Sequence, residues 1–170
     1  EDFFSQFVTR ALEGYGVQTI NLYKGSGRPI TLSSVMVCGG DRSIVSYQDR
    51  VEITPHYLEQ VYRQLHGAKV VDMQVGFLEA YQRLSAENTI QVFDTGWEED
   101  LSIEKYKDYL EAADYYVPNR KEALKITGES TIENAAKKLG QFFPDVIIKL
   151  DKEGCLLKNS KGTKIIPPLQ

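Results

Sequence analysis

Polar side chains that could bind a ligand follow three apolar runs of the sequence. Asp94 ends the first run, and Gly96 nearby would let a ligand approach the backbone closely. Asn119 and Glu122 follow the second run, where a carboxylate could hold a hydrated Mg²⁺. Lys149 emerges from the third run and could face a phosphate. Ligands of open parallel sheets bind beyond the carboxyl ends of the strands, so these are the three candidate places for chemistry.

Each place also has a purely structural explanation. Asp94 and Thr95 could cap or turn the chain. Asn119 and Glu122 have the spacing of a capping box, in which each side chain accepts from the other residue's amide. Lys149 could be a solvated turn residue. Spacing alone favours the structural roles and leaves the chemical ones open.

The elements that would position these side chains alternate between apolar strands and amphipathic helices after Thr54, a good N-cap. This alternation predicts right-handed βαβ units and a parallel sheet, and nearly continuous apolar strands predict helices on both faces. We therefore expect a doubly wound α/β core over residues 55–170. Its predicted strands are 69–73, 89–93, 115–117 and 145–150, followed by a hairpin of 155–157 and 163–166.

The first 50 residues have a different pattern. Apolar residues at helical spacing predict a helix over 3–13. Three runs separated by glycine-rich turns predict short antiparallel strands at 19–23, 30–38 and 43–47. We expect residues 19–48 to form a small β-insert with one face open to water or to another molecule.

Composition excludes several classes of protein. The 170 residues are 42% hydrophobic and 26% charged with a net charge of −4, which is typical of one folded domain and not of a disordered chain or a nucleic-acid binder. No apolar stretch reaches the ~18 residues of a membrane span. Cys38 and Cys155 lie far apart, so we expect a reduced, cytoplasmic protein. The chain begins at Glu1 without a Met, which we interpret as an internal segment of a larger domain.

Taken in order, these segments resemble the ribokinase-like, or PfkB, carbohydrate kinases. The most specific match is the Asn-x-x-Glu motif of this family, present as Asn119 and Glu122 within ADYYVPNRKEALKITG. The other matching segments are individually weaker: FVTRALEGYGVQT, RPITLSSVMVCGGDRSIVSY, VFDTGW and AAKKLGQFFPDVIIKLDKEGCLL.

The sequence departs from this family in several places. The family's first strand and its Gly-Gly sugar-binding segment are absent, and so is the Gly-Ala-Gly-Asp motif that supplies the catalytic base. We therefore expect the base beyond Gln170. Asp151 stands where a glycine is common in the nucleotide-site turn. Gly96 and Glu98 replace the Asn and Arg of some acidic-sugar members, which weakens a keto-deoxygluconate assignment.

The resemblance implies ATP-dependent phosphorylation of a sugar hydroxyl. In that mechanism Glu122 would hold the water shell of Mg²⁺, and Asn119 would orient Glu122 or a phosphate. Lys149 and Gly154 would lie beside the nucleotide, and Asp94 on the substrate side. The β-insert would close over the sugar as a lid and pair with a second copy to form a homodimer through residues 19–48. Its candidate sugar contacts are Thr31, Ser33, Ser46 and Tyr47.

Three alternatives remain open at this stage. The first is a non-catalytic sugar-binding relative, or an inactive segment of the fold. The second is a nucleoside or phosphosugar kinase of the same family, which the insert sequence does not distinguish. The third is a flavodoxin-like regulatory domain, which the β-insert and the Asn-x-x-Glu context disfavour.

Overall fold

The computed structural model describes residues 2–25, 27, 30–39 and 41–169. The chain divides into two compact units, Glu1–Tyr57 and Leu58–Gln170. Ser26 and Gly40, which belong to the predicted glycine-rich turns, lie outside the described residues. Among the residues described, no helix has the length and apolar character needed to span a bilayer.

The first unit begins with a helix, as predicted. Helix α1 (Phe3–Gly14) starts at Asp2, whose side chain accepts from the amide of Phe4 at 2.8 Å. The predicted strand at 19–23 was wrong, because these residues form no strand. Instead, the Asn21 side chain accepts from the Tyr23 amide at 2.9 Å, a local turn that competes with strand pairing.

The two remaining predicted strands form a hairpin. Strands β1 (Leu32–Cys38) and β2 (Asp41–Tyr47) pair antiparallel from Leu32↔Tyr47 to Cys38↔Asp41. Because side chains alternate along a strand, each face of this ribbon carries every second residue. Most of both strands is exposed, so the hairpin has no covered face within its own unit.

The second unit contains the predicted alternation. Strands β3 (Val70–Met73), β4 (Ile90–Phe93) and β5 (Tyr115–Tyr116) pair parallel in that order. Strand β6 (Val146–Lys149) joins them through a single parallel bridge, and then pairs antiparallel with β7 (Cys155–Asn159), which pairs with β8 (Gly162–Ile166). The helices are α2 (Pro55–Leu65), α3 (Leu78–Leu84), α4 (Ile103–Ala112), α5 (Arg120–Thr127) and α6 (Ile132–Leu139). The predicted α/β fold class is confirmed, as are the strands of this unit to within two residues.

An aromatic cluster supports the end of β4. Phe93 is fully buried, and its ring centroid lies 5.1 Å from that of Tyr109 and 5.8 Å from those of Tyr106 and Tyr116. These contacts connect β4, α4 and β5. The backbone immediately after Phe93 therefore leaves the sheet at a well-packed position, and Asp94 is the first residue beyond it.

Replacing Phe93 by Ala should destabilise the protein by about 3–5 kcal/mol, because the large side chain has packed neighbours on several sides. Ile90→Ala on the same strand is the matched control, since Ile90 is 43% exposed and should cost about 1 kcal/mol or less. Urea denaturation followed by circular dichroism measures both values. Equal losses would contradict this account of the core.

Candidate active site

Two of the predicted site residues meet across the end of β5. The Lys149 Nζ atom, at the end of β6, donates to Asp94 Oδ2, just beyond β4, at 2.5 Å. The two side chains are 47% and 35% exposed. Exposed ion pairs contribute about 0–1 kcal/mol, so either partner can exchange this contact for another at little cost.

A backbone contact fixes the position of this pair. The amide of Lys149 donates to the carbonyl of Pro118 at 2.8 Å, and Asn119 and Lys149 form the parallel bridge between the two halves of the sheet. The start of α5 and the end of β6 are thereby held side by side. Asp94, Asn119, Glu122 and Lys149 consequently gather at one edge of the sheet, where the parallel strands end.

Asn119 and Glu122 form a complete capping box. Asn119 Oδ1 accepts from the amide of Glu122 at 3.0 Å, and Glu122 Oε2 accepts from the amide of Asn119 at 2.8 Å. Glu122 is only 5% exposed, yet among the described residues its second oxygen, Oε1, accepts no hydrogen bond. Capping therefore uses one carboxylate oxygen and leaves the other available to a ligand.

Two further residues belong to this edge, and the sequence interpretation missed both as contributors to the site. The hydroxyls of Thr95 and Tyr116 lie 3.1 Å apart. Burial raises the pKa of Tyr116 well above its usual range, and the nearby carboxylates of Glu122 and Asp94 add to that effect. The phenol therefore stays protonated at neutral pH. The only signal in the sequence was the position of this tyrosine at the end of a strand.

The loop after β4 is anchored at its far end. Lys105 of α4 donates to Glu98 and, at 2.8 Å, to Asp100. The hydrogen bonds that Lys105 donates to Asp100 and Glu98 raise the pKa of Lys105 above its ordinary value. Leu101 is 2% exposed and closes the loop against the core. Between these contacts and Asp94, the indole of Trp97 is 53% exposed.

The turn after β6 keeps its shape without the expected glycine. Asp151 has φ +55°, the left-handed conformation that glycine adopts most easily and that Asp tolerates better than most residues. Gly154 has φ +91°, and a Cβ there would lie 2.0 Å from the carbonyl oxygen of Ile166. The close approach of β8 therefore accounts for the glycine, and a nucleotide contact at Gly154 stays a prediction.

The four candidate sugar contacts of the hairpin do not share one face. Thr31 donates to Gln48 at 2.7 Å, and the hydroxyls of Ser33 and Ser46 lie 2.8 Å apart across the strands. These three residues line one face of the ribbon. Tyr47 pairs with Leu32 and lies on the opposite face, where its hydroxyl donates to Asp49 at 2.5 Å.

The residues at the sheet edge suit indirect binding of a metal ion. In the part of the chain that the structure describes, no three His, Cys, Asp or Glu side chains are grouped as direct ligands. Glu122 offers a single buried carboxylate with one available oxygen. Such a group fits a Mg²⁺ ion that keeps its waters and takes its other ligands from substrate phosphates.

Comparison with solved structures identifies the fold as that of the ribokinase-like kinases. Ribokinase from Giardia lamblia aligns with a TM-score of 0.79 at 20% identity, covering 98% of this chain and 56% of that one. Adenosine kinase from Sinorhizobium meliloti aligns with a TM-score of 0.78 at 18% identity, covering 100% and 56%. Ribokinase from Thermotoga maritima aligns with a TM-score of 0.69 at 22% identity, covering 100% and 58%.

The family model described as pfkB family carbohydrate kinase matches residues 1–170. This chain belongs to that family, as its sequence motifs predicted. No curated protein matches it. The chain spans 56% to 58% of the lengths of the three solved structures named above.

Replacing Gly154 by Ala should destabilise the protein by about 2–4 kcal/mol, because the new Cβ combines a backbone clash with an unfavourable φ. Gly128→Ala is the control, since Gly128 has φ +70° but nothing within 4 Å of the added atom. That change should cost about 1–2 kcal/mol. Thermal denaturation of both variants separates the clash from the backbone strain, and an equal loss would remove the clash from the explanation.

Proposed function

We propose that the protein containing this chain transfers the γ-phosphoryl group of ATP to a hydroxyl group of a sugar. The observation that carries this proposal is the gathering of Asp94, Asn119, Glu122 and Lys149 at the carboxyl edge of the sheet. Phosphoryl transfer depends mainly on positioning and charge stabilisation, and these are the side-chain types it requires. Membership of a carbohydrate kinase family supports the same reaction.

Asp94 would bind the sugar, and Lys149 would bind a phosphate of the nucleotide. Their exposed ion pair is weak, so a phosphate can compete for Lys149 while a sugar hydroxyl donates to Asp94. Each side chain then exchanges one partner for another without any movement of the backbone. The catalytic base that deprotonates the acceptor hydroxyl is expected after Gln170.

Glu122 would act on the phosphate side. Its Oε2 atom holds the start of α5, which fixes the carboxylate, and its Oε1 atom can accept from a water bound to Mg²⁺. When bound, Mg²⁺ neutralises charge on the phosphates. Asn119 keeps Glu122 in place through the capping box, so its contribution is positioning. Gly154 would support the turn that lies beside the nucleotide.

The hairpin of the first unit would serve as the lid and as the dimer contact. The face with Thr31, Ser33 and Ser46 carries the hydroxyls suited to a sugar. Exposed apolar side chains lie on both faces, and we propose that the face with Met36 and Val45, opposite these hydroxyls, packs against a second copy of the chain. A two-stranded ribbon is marginally stable alone, so cover on both faces would stabilise it. The free thiols of the chain fit a cytoplasmic protein.

Glu122→Gln tests whether the carboxylate does more than cap the helix. The amide can still accept from Asn119, so the free energy of unfolding should change by about 1 kcal/mol or less. Turnover should fall about 10- to 100-fold and the Mg²⁺ dependence should shift, because the negative charge is lost. A coupled ADP-release assay on the full-length protein, screened over pentoses, hexoses and nucleosides, supplies the measurement.

Glu133→Gln, at an exposed position in the first turn of α6, is the control for that experiment. It removes a carboxylate from a neighbouring helix start and should leave turnover unchanged. If the Mg²⁺ dependence of turnover is the same in Glu122→Gln as in the unsubstituted protein, Glu122 only caps the helix. Absence of ADP release with every sugar and nucleoside would favour the non-catalytic alternative.

Charged substitutions on the two faces of the hairpin should have different effects. Val45→Lys places an ammonium group on the proposed dimer face and should shift the protein towards monomers. Ile44→Lys alters the opposite face and should raise the sugar KM instead. Analytical ultracentrifugation and sugar titrations of the full-length protein test both effects. A dimer unaffected by Val45→Lys would exclude that face as the interface.

A further inference from the structure

We infer that Trp97 is a stacking platform for the sugar and that its loop selects uncharged sugars over acidic ones. The inference rests on the proposed function and names a specificity-determining residue of that site. It depends on three features of the loop between Asp94 and Leu101: the exposed indole, the anchors on each side of it, and the charge around it.

The exposure of Trp97 contrasts with the other aromatic side chains near this edge. Phe93, Tyr106 and Tyr116 are each at most 2% exposed, whereas Trp97 is 53% exposed. The ring of Phe93 contacts those of Tyr106 and Tyr116, whereas Trp97 contacts no other ring among the described residues. The largest apolar side chain of the loop, three positions after Asp94 in the chain, is thus more than half exposed.

The loop is anchored on both sides of Trp97. On one side, Thr95 is hydrogen-bonded to Tyr116 at 3.1 Å. On the other side, Lys105 binds Glu98 and Asp100, and Leu101 is buried. A side chain presented by an anchored backbone loses less conformational entropy on binding than one on a free loop, so Trp97 is preorganised to contact a ligand.

The charge of the loop determines which ligand suits it. Four carboxylates lie within seven residues, at Asp94, Glu98, Glu99 and Asp100, against two lysines that bind them, Lys105 and Lys149. The excess of negative charge repels a carboxylate-bearing sugar. Carboxylates accept hydrogen bonds from neutral hydroxyls, so the same groups favour an uncharged sugar.

A sugar fits this arrangement better than a nucleobase. The apolar C–H face of a sugar ring needs one aromatic surface, and its hydroxyls need several acceptors at the rim. The loop provides a single exposed indole, together with four carboxylates within seven residues of the chain. A base is usually held between apolar groups on both of its faces, and the described residues of this loop offer only one.

The test uses the full-length protein and the variants Trp97→Ala and Trp97→Phe. Trp97→Ala should raise the KM for a neutral sugar about tenfold, the loss expected for one aromatic contact, with kcat and the KM for ATP within about twofold. Trp97→Phe should restore much of the affinity because it keeps a ring. An unchanged sugar KM in Trp97→Ala, or loss of kcat with no change in KM, would overturn the inference.

Intrinsic fluorescence gives a second measurement that does not depend on catalysis. Trp97 is the only tryptophan in the 170 residues, and subtracting the Trp97→Phe signal removes any contribution from elsewhere. D-fructose or D-ribose should change the emission of Trp97, whereas D-gluconate and adenosine at the same concentrations should not. Stronger binding of D-gluconate or adenosine than of both neutral sugars would overturn the inference.

A charge variant completes the test. Glu99 is exposed, and Glu99→Lys should raise the ratio of D-gluconate to neutral-sugar binding several-fold. An unchanged ratio would contradict the claim that the negative charge of the loop disfavours acidic sugars. Failure of the proposed function is distinguishable, because a protein that phosphorylates no sugar can still show the fluorescence change. Conversely, a protein that phosphorylates a sugar but shows no change in Trp97 emission when that sugar is added would refute only the inference about Trp97.

Discussion

The hydrogen bond from the Lys149 amide to the Pro118 carbonyl joins the two halves of the sheet in the second unit. Strand β5 has only two residues, and one parallel bridge connects its end to β6. On one side of this junction the strands are parallel, and on the other they are antiparallel. The junction sets the distance between the start of α5 and the end of β6. The position of Lys149 relative to Asn119 and Glu122 depends on that distance.

The capping box shows that a structural role and a chemical role can share one carboxylate. A choice between capping and metal binding assumes that one function excludes the other. In the structure Oε2 of Glu122 completes the cap, while Oε1 is without a hydrogen-bond donor among the described residues. Capping also limits the movement of the buried carboxylate. A binding site requires side chains that are held in place in this way. The stability of α5 and the geometry of the site therefore arise from the same residue.

Sequence patterns predicted the elements of the second unit because hydrophobic periodicity is local and each strand is apolar. The prediction failed at residues 19–23, where alternation suggested a strand but the Asn21 side chain forms a turn. The pairing of Asp94 with Lys149 was not predicted, since these residues are 55 positions apart. The contact between Thr95 and Tyr116 was missed for the same reason. In the hairpin, strand register places Tyr47 opposite the other three candidates, and register cannot be read from composition.

The distribution of charge around the ion pair explains how one edge could accept two unlike substrates. The loop beyond Asp94 is rich in carboxylates, which favour neutral hydroxyls and disfavour anions. Lys149, which donates to Asp94, is the cation that we propose for the phosphate. Under the proposed function, the ion pair would lie on the boundary between this acidic region and the phosphates. Phosphoryl transfer requires a hydroxyl and a phosphate to meet at such a boundary. Moving either charge would move the place where they meet, so the positions of Asp94 and Lys149 would bear on the geometry of the proposed reaction as well as on the affinity for each substrate.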